Sequence, residues 1–227
     1  MARGRFEELA VSGERARLYA SGTGDTTRGV VVFHPWWGLN DDVIAYSDRL
    51  ASAGFSVVAP DLVRGRVAST VEAAEVLVSG KDDDHADAVA LAAIDRIGTS
   101  DRASRIGAVG FSMGVGWAMW CAAQRPVVAA SVVYYGTFGG PSLERASAPV
   151  LGHFAEHDPY EDDASVLAFE QALREAGRHI VTHRYPGTGH WFAEPSRDAW
   201  RPEAAELAFE RTVAFLQEQL EPRRHAR

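Results

Sequence analysis

Short apolar runs rich in valine alternate with longer segments whose apolar residues recur at helical spacing, and this alternation limits the fold more than any other feature of the chain. Gly29–His34 is continuously apolar up to its last residue, as a strand covered on both faces of a parallel sheet requires. Asp41–Ala53 then carries Val43, Ile44, Tyr46 and Leu50 on one stripe, with Asp41 or Asp42 placed to cap a helix. Phe55–Ala59 reads as a strand stopped by Pro60, and Asp82–Ile97 as a helix with its acids at the positive N-terminus. Strands are expected at Arg105–Gly110, Val127–Tyr135 and Pro149–Ala155, and helices at Met113–Gln124 and Asp162–Ala176. Arg178–Tyr185 alternates like a strand near a sheet edge, and Pro202–Leu220 closes as an amphipathic helix. Ahead of these, Phe6–Val11 and Arg15–Ala20 can pair as a hairpin turning at Ser12-Gly13-Glu14. Such alternation implies right-handed βαβ units and a mostly parallel central sheet of about seven to eight strands, flanked by helices on both faces. Ligands of such sheets bind beyond the carboxyl ends of the strands, so chemistry is sought there.

At 227 residues the chain fits one α/β domain spanning 1–227, and no repeat or low-complexity linker divides it. Its net charge of −8, with basic clusters only at the two ends, argues against a nucleic-acid partner. The basic tail at about 222–227 is expected to be flexible. A single cysteine, Cys121, leaves no intramolecular disulfide, and no His/Asp/Glu cluster has metal-ligand spacing. Glu7 and Glu8 interrupt the start where a signal peptide needs an apolar run, and no apolar run could span a bilayer. The expectation is a cytoplasmic protein with no membrane partner and no cofactor; a homo-oligomer stays open.

The segment Arg105–Gly116 contains G-x-S-x-G as Gly110, Ser112 and Gly114, with an apolar strand running into it and a helix running out. That setting is what a nucleophilic serine needs. A tight strand-to-helix turn with positive φ projects Oγ above the sheet, and the flanking glycines remove Cβ atoms that would collide. The free N–H of Met113, at the start of the helix, points where an acyl oxyanion would form.

A serine hydroxyl requires a base held by a third group. Of eight histidines, His190 lies in Pro186-Gly-Thr-Gly-His190-Trp-Phe, read as a flexible loop after the last strand and able to reach over the sheet. His34 adjoins Pro35 and shapes that turn; His153 lies inside a strand and His183 on an edge strand. His85, His179 and His225 look solvated, while His157 competes because it adjoins the acid candidate. For the acid, Asp158 sits just beyond the strand Pro149–Ala155, with Pro159 fixing the turn and Glu156 as the alternative. Asp162 and Asp163 are better explained as helix caps. The order Ser112, Asp158, His190 is that of the nucleophile-elbow fold.

With these residues in place the chain resembles the dienelactone hydrolase family of α/β-hydrolases over nearly its whole length. The resemblance is carried by Trp37-Gly38-Leu39-Asn40, Pro60-Asp61-Leu62, Gly110-Phe-Ser-Met-Gly114, Tyr134-Tyr135-Gly136, the Asp158 turn and Gly189-His190-Trp191-Phe192. It implies the α/β-hydrolase fold, a Ser112–His190–Asp158 triad acting on a small-molecule ester or lactone, and a second oxyanion donor at the Trp36 N–H. Three departures stand out. Founding members have a cysteine nucleophile where this chain has Ser112, and a thiol-modulating Glu at the position of Pro35. They also hold a substrate carboxylate with an Arg where Glu194 stands here, and a negative group there would repel an anionic lactone. Arg64 or Arg66 could supply a cation instead. Trp36, Trp37, Trp191 and Phe192 read as apolar walls of the pocket, Tyr135 joins Trp37, Trp191 and Arg64 as a substrate-binding candidate, and Cys121 reads as core. The rivals are a thioesterase or peptidase on the same fold, or a binding module without turnover. Whether Gly65–Lys81 forms a lid is left open.

Overall fold

The computed structural model describes residues 4–22, 26–100, 105–140 and 142–221. In chain order the elements are β1 (Arg5–Val11), β2 (Glu14–Ser21), β3 (Arg28–Phe33), α1 (Asp41–Ser52), β4 (Ser56–Pro60), α2 (Val71–Ser79), α3 (Asp83–Ser100) and β5 (Arg105–Phe111). They continue as α4 (Gly114–Gln124), β6 (Val128–Tyr134), α5 (Ser142–Arg145), β7 (Val150–His157), α6 (Asp163–Glu175), β8 (Ile180–Gly189) and α7 (Pro202–Gln219). The eight strands form one sheet in the order β1-β2-β4-β3-β5-β6-β7-β8. Only the pairings β1 with β2 and β2 with β4 are antiparallel; the other five are parallel.

The apolar continuity of β3 follows from burial on both faces. Val30 and Val32 face Val43 and Leu50 of α1 and Leu216 of α7. Val31 and Phe33 face the other way, into the core layer that holds Val89 and Ile94 of α3 and Val115 of α4. A side chain of this size contributes about 1.5–3 kcal/mol when fully buried, so a period of two with both phases apolar commits the strand to a two-sided core.

Several local readings need correction. Asn40, not Asp41 or Asp42, caps α1, its side chain accepting from the Val43 N–H; the two aspartates lie in the first turn, where the helix dipole favours them. Pro60 ends β4 inside the strand, a position that tolerates a missing donor. β8 runs on through Pro186-Gly187-Thr188 to Gly189, so what reads as loop is strand. Within Gly65–Lys81 lies α2, capped by Thr70, and Ala74 and Leu77 are buried against Trp37 and Val63. The tail at 222–227 lies outside the described residues. No helix among the described residues is long and apolar enough to cross a membrane.

Candidate active site

Strand β5 delivers Ser112 to the carboxyl edge of the sheet, and α4 begins two residues later. Ser112 sits at φ +48°, a left-handed conformation uncommon outside glycine, and its N–H donates to the Tyr134 carbonyl at 2.9 Å. Close approach explains the flanking glycines. A Cβ on Gly110 would stand 2.5 Å from the Gly114 carbonyl oxygen, and one on Gly114 would stand 2.4 Å from that of Phe33. The turn therefore packs backbone on backbone, and only glycine leaves room for it.

Ser112 Oγ lies 2.9 Å from His190 Nε2. On the opposite side of the ring, His190 Nδ1 lies 2.7 Å from Oδ2 and 2.9 Å from Oδ1 of Asp158. A carboxylate can only accept, so Nδ1 carries the ring proton and Nε2 is left with its lone pair toward the serine hydroxyl. Asp158 is itself fixed: Oδ1 also accepts the backbone N–H groups of Tyr160 and Glu161 at 2.9 and 3.1 Å. His190 and Asp158 side chains are only 4% and 2% exposed. His190 itself lies in the turn just after β8, as expected of a residue following the last strand, but that turn is held by the Phe192 N–H donating to the Gly189 carbonyl and the His190 side chain is buried.

A cavity of about 220 Å³ opens in front of the serine, lined by Trp36, Ser112, Met113, Gly116, Thr137, Tyr160, Glu161 and His190. Among the described residues, neither the Met113 nor the Trp36 backbone N–H has a protein acceptor, so both are available to an oxyanion. The loop carrying Trp36 is held by buried His34, whose Nδ1 lies 2.7 Å from the Pro35 oxygen and whose Nε2 accepts the Leu62 N–H at 3.1 Å. Burial pushes His34 below the ordinary histidine value, consistent with a neutral ring that donates on one side and accepts on the other.

The other expected residues are placed differently. Trp37 is buried beneath the cavity, against Trp36 and Trp191 at ring distances of 5.3 and 5.2 Å. Trp191 packs on Trp36 and Tyr160. Tyr135 is buried behind His190, ring centroids 4.9 Å apart, and donates to Glu194 Oε1 at 2.8 Å. Glu194 is buried and does not line the serine cavity, and burial pushes its carboxyl up to about 8, which weakens the repulsion anticipated from it. Arg64 lies in a separate cavity with Arg17 and His85, paired to Glu14 and Asp82, and Arg66 bonds the Val63 and Gly80 carbonyls. His157 is 80% exposed, pairs with Glu156 and does not line the serine cavity. His85, expected to be solvated, is covered, its side chain 8% exposed beside Glu14. Cys121 is core.

Sequence reasoning missed Gly116, Thr137, Tyr160 and Glu161. Thr137 follows β6 just as Asp158 follows β7, and Glu161 receives both the N–H and the hydroxyl of Thr137, at 3.1 and 2.8 Å. The rule that site residues gather beyond strand carboxyl ends would have singled out Thr137. Among the described residues, no group of three or more His, Cys, Asp or Glu could hold a metal ion.

A model of the dienelactone hydrolase family matches residues 15–220. A protein of Azospirillum brasilense named "Putative carboxymethylenebutenolidase" is 31% identical over 217 residues, 87% of this chain and 90% of that one. A Bradyrhizobium sp. protein named "Probable 2-oxo-3-(5-oxofuran-2-ylidene)propanoate lactonase" is 28% identical over 228 residues, 92% of each chain. A crystal structure from Klebsiella pneumoniae subsp. pneumoniae MGH 78578, described as a "Putative Dienelactone Hydrolase", superposes with a TM-score of 0.79 at 23% identity. It covers 96% of this chain and 100% of its own, a likeness that speaks for the shared α/β-hydrolase fold.

Proposed function

The chain belongs to the dienelactone hydrolase family, and from that premise we propose that it is a serine hydrolase cleaving a small-molecule carboxylic ester or lactone through an acyl-enzyme. The observation that carries this reading is the unbroken chain from Ser112 Oγ through His190 to the carboxylate of Asp158. In the proposed reaction His190 Nε2 takes the serine proton as Oγ bonds to the acyl carbon. The carbonyl electron pair moves onto oxygen, which the Met113 and Trp36 N–H groups receive. The tetrahedral adduct collapses as the alkoxide leaves with the proton from His190; in a lactone the leaving alcohol stays tethered to the acyl group. Water then enters on the same side and gives a proton to His190 as its oxygen bonds to the acyl carbon. That proton passes to Ser112 Oγ as the bond from Oγ to the acyl carbon breaks, releasing the acid and the free serine. Asp158 stays ionised throughout, stabilising the imidazolium and fixing its orientation.

Hydrolysis of a short-chain aryl ester tests the proposal. Wild-type protein should turn it over, and Ser112→Ala should lower kcat by about 10³-fold or more while the circular-dichroism spectrum is retained. Undiminished turnover in Ser112→Ala would refute the assignment.

A further inference from the structure

The serine cavity carries an anion where the expected arginines are absent. None of its described lining residues is Arg or Lys, and Glu161 is the one Asp or Glu among them. Its position is fixed, because both oxygens are held by Thr137 and its own N–H by Asp158. Those partners are neutral N–H and O–H donors, which orient the carboxylate without cancelling its charge. The buried carboxylate of Asp158 lies just behind His190 and adds a second negative charge on the same side. Beside Glu161, Tyr160 is half exposed, and its ring meets Trp36 edge-on at 5.6 Å. Two aromatic rings next to a fixed carboxylate favour a cation, whose charge their faces and the carboxylate both attract. The arginines expected to serve a substrate anion are engaged elsewhere: Arg64 pairs with Glu14 and Asp82, and Arg66 bonds the Val63 and Gly80 carbonyls.

We propose that Glu161 sets the charge selectivity of this cavity, so that the substrate is a neutral or cationic ester or lactone and not one bearing a carboxylate. This inference rests on the serine-hydrolase reading and deepens it. The geometry does not divide the cavity between acyl and alcohol arms, so the charge must be tested on each.

The experiment compares kcat/KM for butyrate esters of 2-trimethylammonioethanol, 3,3-dimethylbutanol and 2-sulfoethanol, which are cationic, neutral and anionic near-isosteres. A second set of ethyl esters carries the same three groups on the acyl chain. In at least one set the order should be cation, neutral, anion, with roughly fivefold to twentyfold between the extremes. In wild-type protein the spread should shrink as salt rises from about 0.05 to 1 M, since the screening length falls from above 10 Å to about 3 Å. In Glu161→Gln the charged-to-neutral ratios should collapse toward one. Equal rates across both sets, an anion preference, or a spread that neither salt nor Glu161→Gln reduces would overturn the proposal. The wild-type salt series decides the matter even if the variant does not fold. Failure of the hydrolase reading itself looks different, because then the neutral esters would not be turned over at all.

Discussion

Tyr135 donates its hydroxyl to Glu194 Oε1 at 2.8 Å in a wholly buried pair directly behind His190. The other oxygen of Glu194 has no hydrogen-bond partner among the described residues. Burial, helped by the nearby charge of Asp42 and opposed by the Tyr135 hydrogen bond, pushes this carboxyl up to about 8 from an ordinary 4.5. Between those values the unfolded chain has lost a proton that the native state keeps, so this group's contribution to stability falls as pH rises from about 4.5 to 8, then levels off. Glu194→Gln keeps an acceptor for Tyr135 and removes the titration. Its unfolding free energy, measured by denaturant titration, should therefore gain on wild type steadily from pH 5 to 8, by on the order of a few kcal/mol at the upper end. Parallel curves across that range would show that Glu194 is not held protonated.

The elbow makes a steric prediction. Gly114→Ala puts a Cβ against the Phe33 carbonyl oxygen and should cost about 1–3 kcal/mol or more, with loss of turnover as Ser112 is displaced. At Gly116, further into α4, an added Cβ would meet nothing within 4 Å. Gly116→Ala should keep or raise the melting temperature by removing a helix glycine, and change only KM by narrowing the cavity. Thermal melts and steady-state kinetics on both variants check this; equal destabilisation by the two would contradict the packing account.

The acid is distinguished from its sequence neighbours by its bonds. Asp158→Asn retains Oδ1 for the Tyr160 and Glu161 amides but puts an amide where His190 needs an acceptor. It should lower kcat by roughly 10³–10⁴-fold with little change in melting temperature. His157→Ala and Glu156→Gln should leave kcat within about twofold, since neither side chain reaches His190. A collapse of kcat in His157→Ala would reassign the base.

How much of this was legible in the chain differs by residue. β3 and β5 were readable because burial on both faces leaves no polar phase, and the elbow because two glycines are forced by backbone contact. Helix α2 was not, since Val71, Val76 and Val78 disfavour helix and its buried face is only Ala74 and Leu77. Pro186 and Gly187 masked the end of β8, because on an edge strand neither costs what it would in a central one. Tyr135 and Trp37 sit beside site residues along the chain, yet their side chains point into the packing beneath. Thr137 and Glu161 come from loops after different strands, and no spacing along the sequence encodes their meeting.

Cys121 offers a check on the nucleophile. It is fully buried, and desolvation pushes its thiol well above the ordinary range, leaving almost no thiolate. Native protein treated with iodoacetamide should keep full esterase activity and show no alkylation of Cys121 by mass spectrometry. Inactivation that tracks alkylation would point to a thiol mechanism.

The central claim is that the Ser112 hydroxyl is activated by His190, and its most direct test is covalent. A fluorophosphonate probe reacts with a serine whose proton is being withdrawn, and not with an ordinary hydroxyl. Incubation followed by peptide mapping should give one adduct per chain, on Ser112, abolished in Ser112→Ala and slowed by orders of magnitude in His190→Ala. Labelling at another residue, or labelling that persists undiminished in Ser112→Ala, would contradict the account.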